Sequence, residues 1–141
     1  MFNGFLFNSL NQMKIAHIAI WTKNLDQLKT FYETYFNAKP GDKYVNPQKQ
    51  FKSYFLHFEN GCCLEIMNKT GLQENNNQKD NVSVGFAHFA FSVGSKDKVN
   101  ELTDQLRKDG YKIVGAPRFT GDGYYESVVA DPDQNLIEIT I

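Results

Sequence analysis

Two histidines and two glutamates occupy matching places in the two halves of the chain. His17 lies in the apolar run "IAHIAI" and His88 in the near-copy "FAHFAF", whereas Glu65 lies in "CLEIM" and Glu138 in "LIEIT". Neutral imidazoles and carboxylates are the ligands that borderline divalent metals such as zinc, nickel, cobalt, manganese and iron accept. A carboxylate between aliphatic residues is costly to desolvate unless a positive charge compensates. The pattern is therefore compatible with a divalent metal site built from these four side chains.

The same residues also have a purely structural interpretation. A histidine in an apolar strand is commonly a hydrogen-bonded core or rim residue, and a glutamate near a chain end is commonly solvated. Spacing alone leaves both interpretations open. The duplication favours the metal, because two pseudo-symmetric pairs converge naturally on one point.

The segments around these residues repeat one order of secondary structure. Each histidine strand is followed by an apolar pattern of helical period, with Asn24 and Ser95 as N-cap residues and Gly110 as a stop for the second helix. Each half closes with two strand patterns, joined at Asn60-Gly61 in the first and over 131–135 in the second. The chain is therefore predicted to be an α+β protein of two βαβββ modules.

This order predicts the division of the chain. Residues 1–12 form an N-terminal lead-in, 13–68 the first module, 69–84 a polar linker and 85–141 the second module, so that 13–141 is a single domain. The lead-in carries apolar residues that could instead dock on a partner or on a second copy of the chain: Phe2, Phe5, Leu6 and Phe7.

Composition excludes several classes of function. With 41% hydrophobic and 22% charged residues and a formal net charge of −1 over 141 residues, the chain has the profile of an ordinary globular domain without a nucleic-acid footprint. No apolar run approaches the roughly 20 residues that span a bilayer. The start of the sequence lacks the features of a secretory signal, which predicts a cytoplasmic protein without a membrane partner.

The remaining histidine and the two cysteines are predicted to be structural. Cys62 and Cys63 are adjacent in a strand pattern, point to opposite faces and so do not pair with each other. Their local sequence offers no basic group to activate a thiol, so core packing is expected. His57 has no counterpart in the second half and is expected at the surface or rim.

The motifs "AHIAI", "CLEIM", "AHFAF" and "DPDQNLIEI" resemble those of the vicinal oxygen chelate superfamily, which includes glyoxalase I, extradiol dioxygenases and bleomycin resistance proteins. The resemblance runs from about Met13 to Ile141. It implies paired βαβββ modules whose sheets curve around a metal held by His17, Glu65, His88 and Glu138. This ligand set is most similar to that of the glyoxalase I, or lactoylglutathione lyase, branch.

Some positions depart from that branch. Trp21 stands where glyoxalase I typically has an arginine that holds the carboxylate of glutathione, and the basic residues before the last hairpin are reduced to Arg118. Loss of an arginine clamp is not a conservative change. Trp21 is predicted either to stack on a planar group or to lie in the core, and Tyr124 either to close over substrate or to begin a strand. These three residues are the candidate substrate contacts.

The resemblance implies a metal-dependent enzyme that isomerises a small α-oxygenated carbonyl compound, such as a hemithioacetal of a 2-oxoaldehyde. Glu138 or Glu65 would abstract and return the proton. Two alternatives stay open: an extradiol-type dioxygenase using His17, His88 and Glu138, and a small-molecule-binding protein of the resistance type. A homodimer, in which modules of different subunits complete each cup, is also implied by the resemblance.

Overall fold

The structure is a computed structural model that describes residues 13–73 and 84–141. The predicted lead-in and most of the predicted linker lie outside these ranges. Two helices and nine strands are present in the described residues. In chain order they are β1 (His17–Trp21), α1 (Leu25–Phe36), β2 (Lys39–Pro40), β3 (Tyr44–Asn46), β4 (Phe51–His57), β5 (Cys63–Lys69), β6 (His88–Ser92), α2 (Lys96–Lys108), β7 (Ile113–Phe119), β8 (Tyr125–Ala130) and β9 (Leu136–Thr140).

The strands form two sheets with the same connectivity. The first has the order β1-β5-β4-β2, with the short β3 paired to β4, and the second has the order β6-β9-β8-β7. In both sheets the first and last strands of the module are parallel neighbours, and the other pairs are antiparallel. The predicted α+β fold of two βαβββ modules is confirmed, and β3 is an additional strand that the sequence pattern did not indicate.

Local signals place the helix ends where the sequence predicts them. The Asn24 side chain accepts a hydrogen bond from the Gln27 amide at 3.1 Å, and the Ser95 hydroxyl accepts one from the Lys98 amide at 3.3 Å. Gly110 follows α2 with a φ of 87°, a conformation in which a side chain would be strained. Within the described ranges, no helix is long and apolar enough to cross a membrane.

The first hairpin has a wider loop than the Asn60-Gly61 signal suggests. The loop covers residues 58–62 between β4 and β5, and Gly61 adopts a φ of 93° within it. The second hairpin loop, 131–135, coincides with the predicted turn. The width of the first loop brings the end of β4 beside the start of β5, and therefore His57 beside Cys63.

Helix α1 belongs to the first module but packs against the second. The Phe31 ring lies 4.9 Å from that of Tyr111, and the Phe36 ring lies 4.4 Å from that of Phe91. Fully buried side chains of this kind each contribute roughly 1.5–3 kcal/mol by leaving water. The two modules are therefore held together by the aromatic face of α1.

A buried hydrogen bond joins the modules at the same place. The Tyr32 hydroxyl donates to Asp131 Oδ2 at 2.9 Å, and Asp131 also accepts the amides of Asp133 and Asn135 and the Asn135 side chain. Burial raises the pKa of the Asp131 carboxyl above its ordinary value, although these hydrogen bonds oppose the shift. Asp131 thus fixes its own turn and links it to α1.

Candidate functional site

The candidate residues lie on the face of each sheet that turns away from the helices. Along β1, Ile18 and Ile20 pack against the core while His17, Ala19 and Trp21 are exposed. Strand β6 repeats this alternation: Phe89 and Phe91 pack inward, and its other three residues, His88, Ala90 and Ser92, are exposed. The strand period of two therefore puts both histidines on open sheet faces.

The pairing register places a small residue opposite each glutamate. Ala19 of β1 is the partner of Glu65 on β5, and Ala90 of β6 is the partner of Glu138 on β9. An alanine methyl leaves space above the sheet that a larger side chain would fill. Each carboxylate can therefore turn toward the histidine, which lies two residues before the alanine on the neighbouring strand.

Each histidine lies close to the glutamate of its own sheet. His17 Nε2 lies 3.8 Å from Glu65 Oε2, and His88 Nε2 lies 3.1 Å from Glu138 Oε1. The imidazoles are 46% and 42% exposed, which excludes the core interpretation of both histidines. The donor types fit a bound metal. Two donors about 2.0–2.2 Å from one ion stand roughly 2.9–3.4 Å apart; the second pair lies within this range, whereas the first pair is wider and would have to close by a few tenths of an ångström around an ion. The same separation also suits a direct interaction between imidazole and carboxylate.

The four predicted ligands are brought together as two pairs. The pairs lie on separate sheets, and in the part of the chain that the structure describes no group of three or more His, Cys, Asp or Glu side chains is placed to hold a metal. Each sheet therefore offers two donors, which is half of the predicted ligand set.

Trp21 lies on the same face as the first pair. Its side chain is 45% exposed, so the interpretation of Trp21 as a core residue is wrong. The indole packs edge to face on Phe51, with 6.1 Å between ring centroids, and the Lys69 ammonium lies 5.1 Å from its centroid. The indole can therefore offer a flat apolar surface beside His17 and Glu65.

Tyr124 lies beside the second pair, and Arg118 contacts Glu126, which borders the same cavity. Arg118 Nη2 is 3.6 Å from Glu126 Oε1, so the guanidinium has an acidic neighbour. Tyr124 is 56% exposed and precedes β8. A cavity of about 520 Å³ is lined by His88, Ala90, Thr120, Asp122, Tyr124, Glu126, Glu138 and Thr140. The second pair therefore faces a small cavity bordered mostly by residues with polar side chains.

One contact on the first sheet was missed by the sequence analysis. Cys63 Sγ lies 3.2 Å from His57 Nδ1, and both cysteines are free and only partly buried. The prediction of core packing is wrong for Cys63, because strand alternation puts this residue on the open face. Its basic neighbour comes from β4, across the 58–62 loop, and not from the local sequence. The sequence did contain one indication of this contact, since His57 lies on the other strand of the predicted hairpin.

Comparison with solved structures shows the fold. The chain superposes on glyoxalase I of Zea mays with a TM-score of 0.74 at 22% identity, covering 90% of this chain and 44% of that one. The trypanothione-dependent glyoxalase I of Leishmania major gives a TM-score of 0.71 at 23% identity, covering 92% and 86%. A glyoxalase family protein of Enterococcus faecalis gives 0.73 at 22%, covering 91% and 97%. The chain thus spans less than half the length of the maize protein.

Sequence comparison identifies the family. A stretch of 59 residues is 36% identical to protein YqjT of Bacillus subtilis (strain 168), covering 40% of this chain and 46% of that protein, so the match spans under half of this relative. The model of the Glyoxalase/Bleomycin resistance protein/Dioxygenase superfamily matches residues 14–139, nearly the whole chain. The chain belongs to this superfamily.

Proposed function

We propose that the protein is a metal-dependent enzyme of the glyoxalase I type. Its substrate would be a small α-oxygenated carbonyl compound, such as the hemithioacetal of a 2-oxoaldehyde. The observation that carries the proposal is the repeated pair: each sheet presents one histidine and one glutamate on an open face, 3.8 Å apart on the first sheet and 3.1 Å apart on the second. The shared fold of proteins named glyoxalase I supports it.

A divalent ion would be held by His17, Glu65, His88 and Glu138. Zinc, nickel, cobalt, manganese and iron all accept two imidazoles and two carboxylates. When bound, such an ion supplies Lewis-acid stabilisation of the negative charge that develops on neighbouring substrate oxygens. Because Glu65 and Glu138 occupy equivalent places, a four-donor site is favoured over the dioxygenase alternative, which has no use for Glu65.

The protein's own residues would move the proton. A carboxylate next to the substrate takes the proton from one carbon and returns it to the adjacent carbon. Glu138 and Glu65 are the candidates, with side chains that are 21% and 15% exposed. Trp21 on the first face, and Arg118 and Tyr124 on the second, would contact the part of the substrate that does not react.

We further propose that two copies of the chain complete each site. The first pair of one chain would meet the second pair of the other, because the two pairs of a single chain lie on separate sheets. Strands β1 and β6, which carry the histidines, each lie at an edge of their sheet. Beside them Ile15 is 70% and Phe86 65% exposed. Edges and apolar side chains of this kind favour pairing with another chain.

The test uses metal-free protein. Stoichiometric Ni²⁺, Co²⁺ or Zn²⁺ is added and a panel of thiol hemithioacetals of 2-oxoaldehydes is assayed by the absorbance of the thioester product. Metal-dependent turnover that is lost in Glu138→Gln supports the proposal. Glu33→Gln is the matched control, because Glu33 lies on helix α1, pairs with Lys29 and belongs to neither His–Glu pair. Absence of turnover with every metal and thiol contradicts it.

A further inference from the structure

Three side chains form a row across the open face of the first sheet. His17 of β1 is the register partner of Cys63 of β5, and Cys63 Sγ in turn lies 3.2 Å from His57 Nδ1 at the end of β4. Glu65 lies two residues further along β5 on the same face, about 7 Å from Cys63 at the rise of a strand. A thiol with an imidazole in contact therefore lies directly beside the His17–Glu65 pair.

This arrangement is that of a nucleophile with its base. In the tautomer whose Nδ1 carries no proton, His57 accepts a hydrogen bond from the Cys63 thiol. A thiol within hydrogen-bond reach of an imidazole is the pattern of an activated nucleophile. The second sheet has no equivalent, because Leu136 and Ala130 occupy the corresponding positions.

The thiol is also accessible. His57 and Cys63 border a cleft of about 1200 Å³ between the two modules, and Ala90 and Ser92 of the second sheet border it too. Cys63 is only partly buried. A small electrophile that enters this cleft can therefore reach the sulfur, and the pairing register places His17 directly beside that sulfur.

We propose that Cys63 itself serves as the thiol that adds to a 2-oxoaldehyde. The Sγ atom forms a bond to the aldehyde carbon, and the thiol proton passes through His57 to the aldehyde oxygen. The product is a hemithioacetal attached to the chain. This inference rests on the proposed function, and it names the substrate class as the free 2-oxoaldehyde, without a soluble thiol partner.

The rest of the reaction balances without an oxidant. The hydrogen on the former aldehyde carbon is removed as a proton by Glu65 or Glu138 and returned to the neighbouring carbon, while the hydroxyl proton moves to the neighbouring oxygen. One carbon is thereby oxidised and its neighbour reduced, which leaves a 2-hydroxyacyl thioester on Cys63. Water then cleaves the thioester, releasing a 2-hydroxy acid and restoring the thiol.

The first experiment measures addition and needs neither metal nor turnover. Alkylation by iodoacetamide is followed by mass spectrometry in metal-free Cys62→Ser, which retains Cys63, and in the matched control Cys63→Ser, which retains Cys62. With 2-oxopropanal present, Cys63 is expected to alkylate about tenfold more slowly and Cys62 at its original rate. In Cys62→Ser/His57→Gln, the rate at which added 2-oxopropanal establishes the protection of Cys63 is expected to fall about a hundredfold, because His57 carries the proton of the addition step. Equal protection of both thiols would overturn the inference.

The second experiment measures the acid released. Metal-loaded wild-type protein and Cys62→Ser are expected to convert 2-oxopropanal to lactate with no thiol added, and Cys63→Ser to do so about a hundredfold more slowly. Cys63→Ser is expected to keep turnover of a preformed hemithioacetal of a free thiol. If wild type turns over only the preformed hemithioacetal, the inference fails and the proposed function stands. If wild type turns over neither substrate, the proposed function is wrong, and so is the isomerisation step proposed for the hemithioacetal on Cys63.

Discussion

The two sheets share a backbone plan, a His–Glu pair and an alanine opposite each glutamate, but the other side chains around the pair differ. On the first sheet the neighbours are a thiol, an imidazole and aromatic rings; on the second they are aliphatic, hydroxyl and carboxylate groups. By register, the positions around the first pair are Cys63, His57, Phe55, Trp21, Met67 and Ser53, and their counterparts around the second are Leu136, Ala130, Val128, Ser92, Thr140 and Glu126.

The repeated fold keeps some side chains the same at matching positions of the two sheets and allows others to differ. The donors and the alanines opposite them lie on the two parallel strands of each module, where the register is the same in both halves. The differing residues lie mainly on β4 and β8 and at the ends of the parallel strands. Metal binding is therefore expected to be symmetric between the modules, whereas the chemistry around it is expected to be one-sided.

The largest expected effect is on metal binding. His17→Ala and His88→Ala are each expected to lower the affinity for Zn²⁺ by about a hundredfold or more, because each removes one of the four proposed donors. Substitutions of residues that only support a ligand typically lower metal affinity by about 10–100-fold. Isothermal titration of the metal-free proteins measures this. His57→Ala, on the same face as His17, is the control and is expected to leave the affinity almost unchanged. A loss of several kcal/mol in the unfolding free energy of metal-free His17→Ala and His88→Ala would favour a structural role.

The next effect separates the two glutamates. With metal at saturation, Glu138→Gln is expected to lower kcat by about 10²–10⁴, the contribution of a general base, if Glu138 moves the proton. Glu65→Gln is expected to act mainly on metal affinity, since an amide is a poorer donor than a carboxylate. Steady-state kinetics over a range of metal concentrations distinguishes the two. A loss of kcat in Glu65→Gln alone would place the base on the first sheet.

A smaller effect concerns the link between the modules. Tyr32→Phe is expected to lower the unfolding free energy by about 1–3 kcal/mol, because Asp131 loses a donor in a buried setting. Tyr124→Phe removes an exposed hydroxyl and is expected to change stability by less than about 0.5 kcal/mol. Urea denaturation measures both. Equal effects of the two substitutions would contradict a role for the Tyr32–Asp131 bond in joining the modules.

The smallest effect is the pH dependence of that link. Because burial raises the pKa of Asp131, the folded state binds this proton more tightly than the unfolded state does. The unfolding free energy of wild type relative to Asp131→Asn is therefore highest below the ordinary carboxyl pKa and falls as pH rises through the raised pKa. Urea denaturation of both proteins from about pH 3 to about pH 7 gives the difference. A difference that grows with pH would show that hydrogen bonding outweighs burial at Asp131.

The part of the fold that could be predicted is the part governed by local signals. Strand alternation correctly grouped each histidine with the other residues of its sheet face, and the capping residues Asn24 and Ser95 correctly predicted where the helices start. The Tyr32–Asp131 bond joins residues far apart in sequence, and no local pattern indicates it. The His57–Cys63 contact depended on the width of one loop, since a two-residue turn would have paired different residues. The four donors were predicted as one group, and the structure shows them as two pairs.

The most direct test of the account is complementation between two defective chains. If each site combines the first pair of one chain with the second pair of another, a dimer of His17→Ala and His88→Ala chains contains one site with both histidines intact. Mixing the two proteins after subunit exchange is then expected to restore high-affinity Zn²⁺ binding and turnover of a hemithioacetal, with up to one intact site per mixed dimer. If the mixture binds metal no better than either protein alone, the two pairs do not combine across chains, and the account is contradicted.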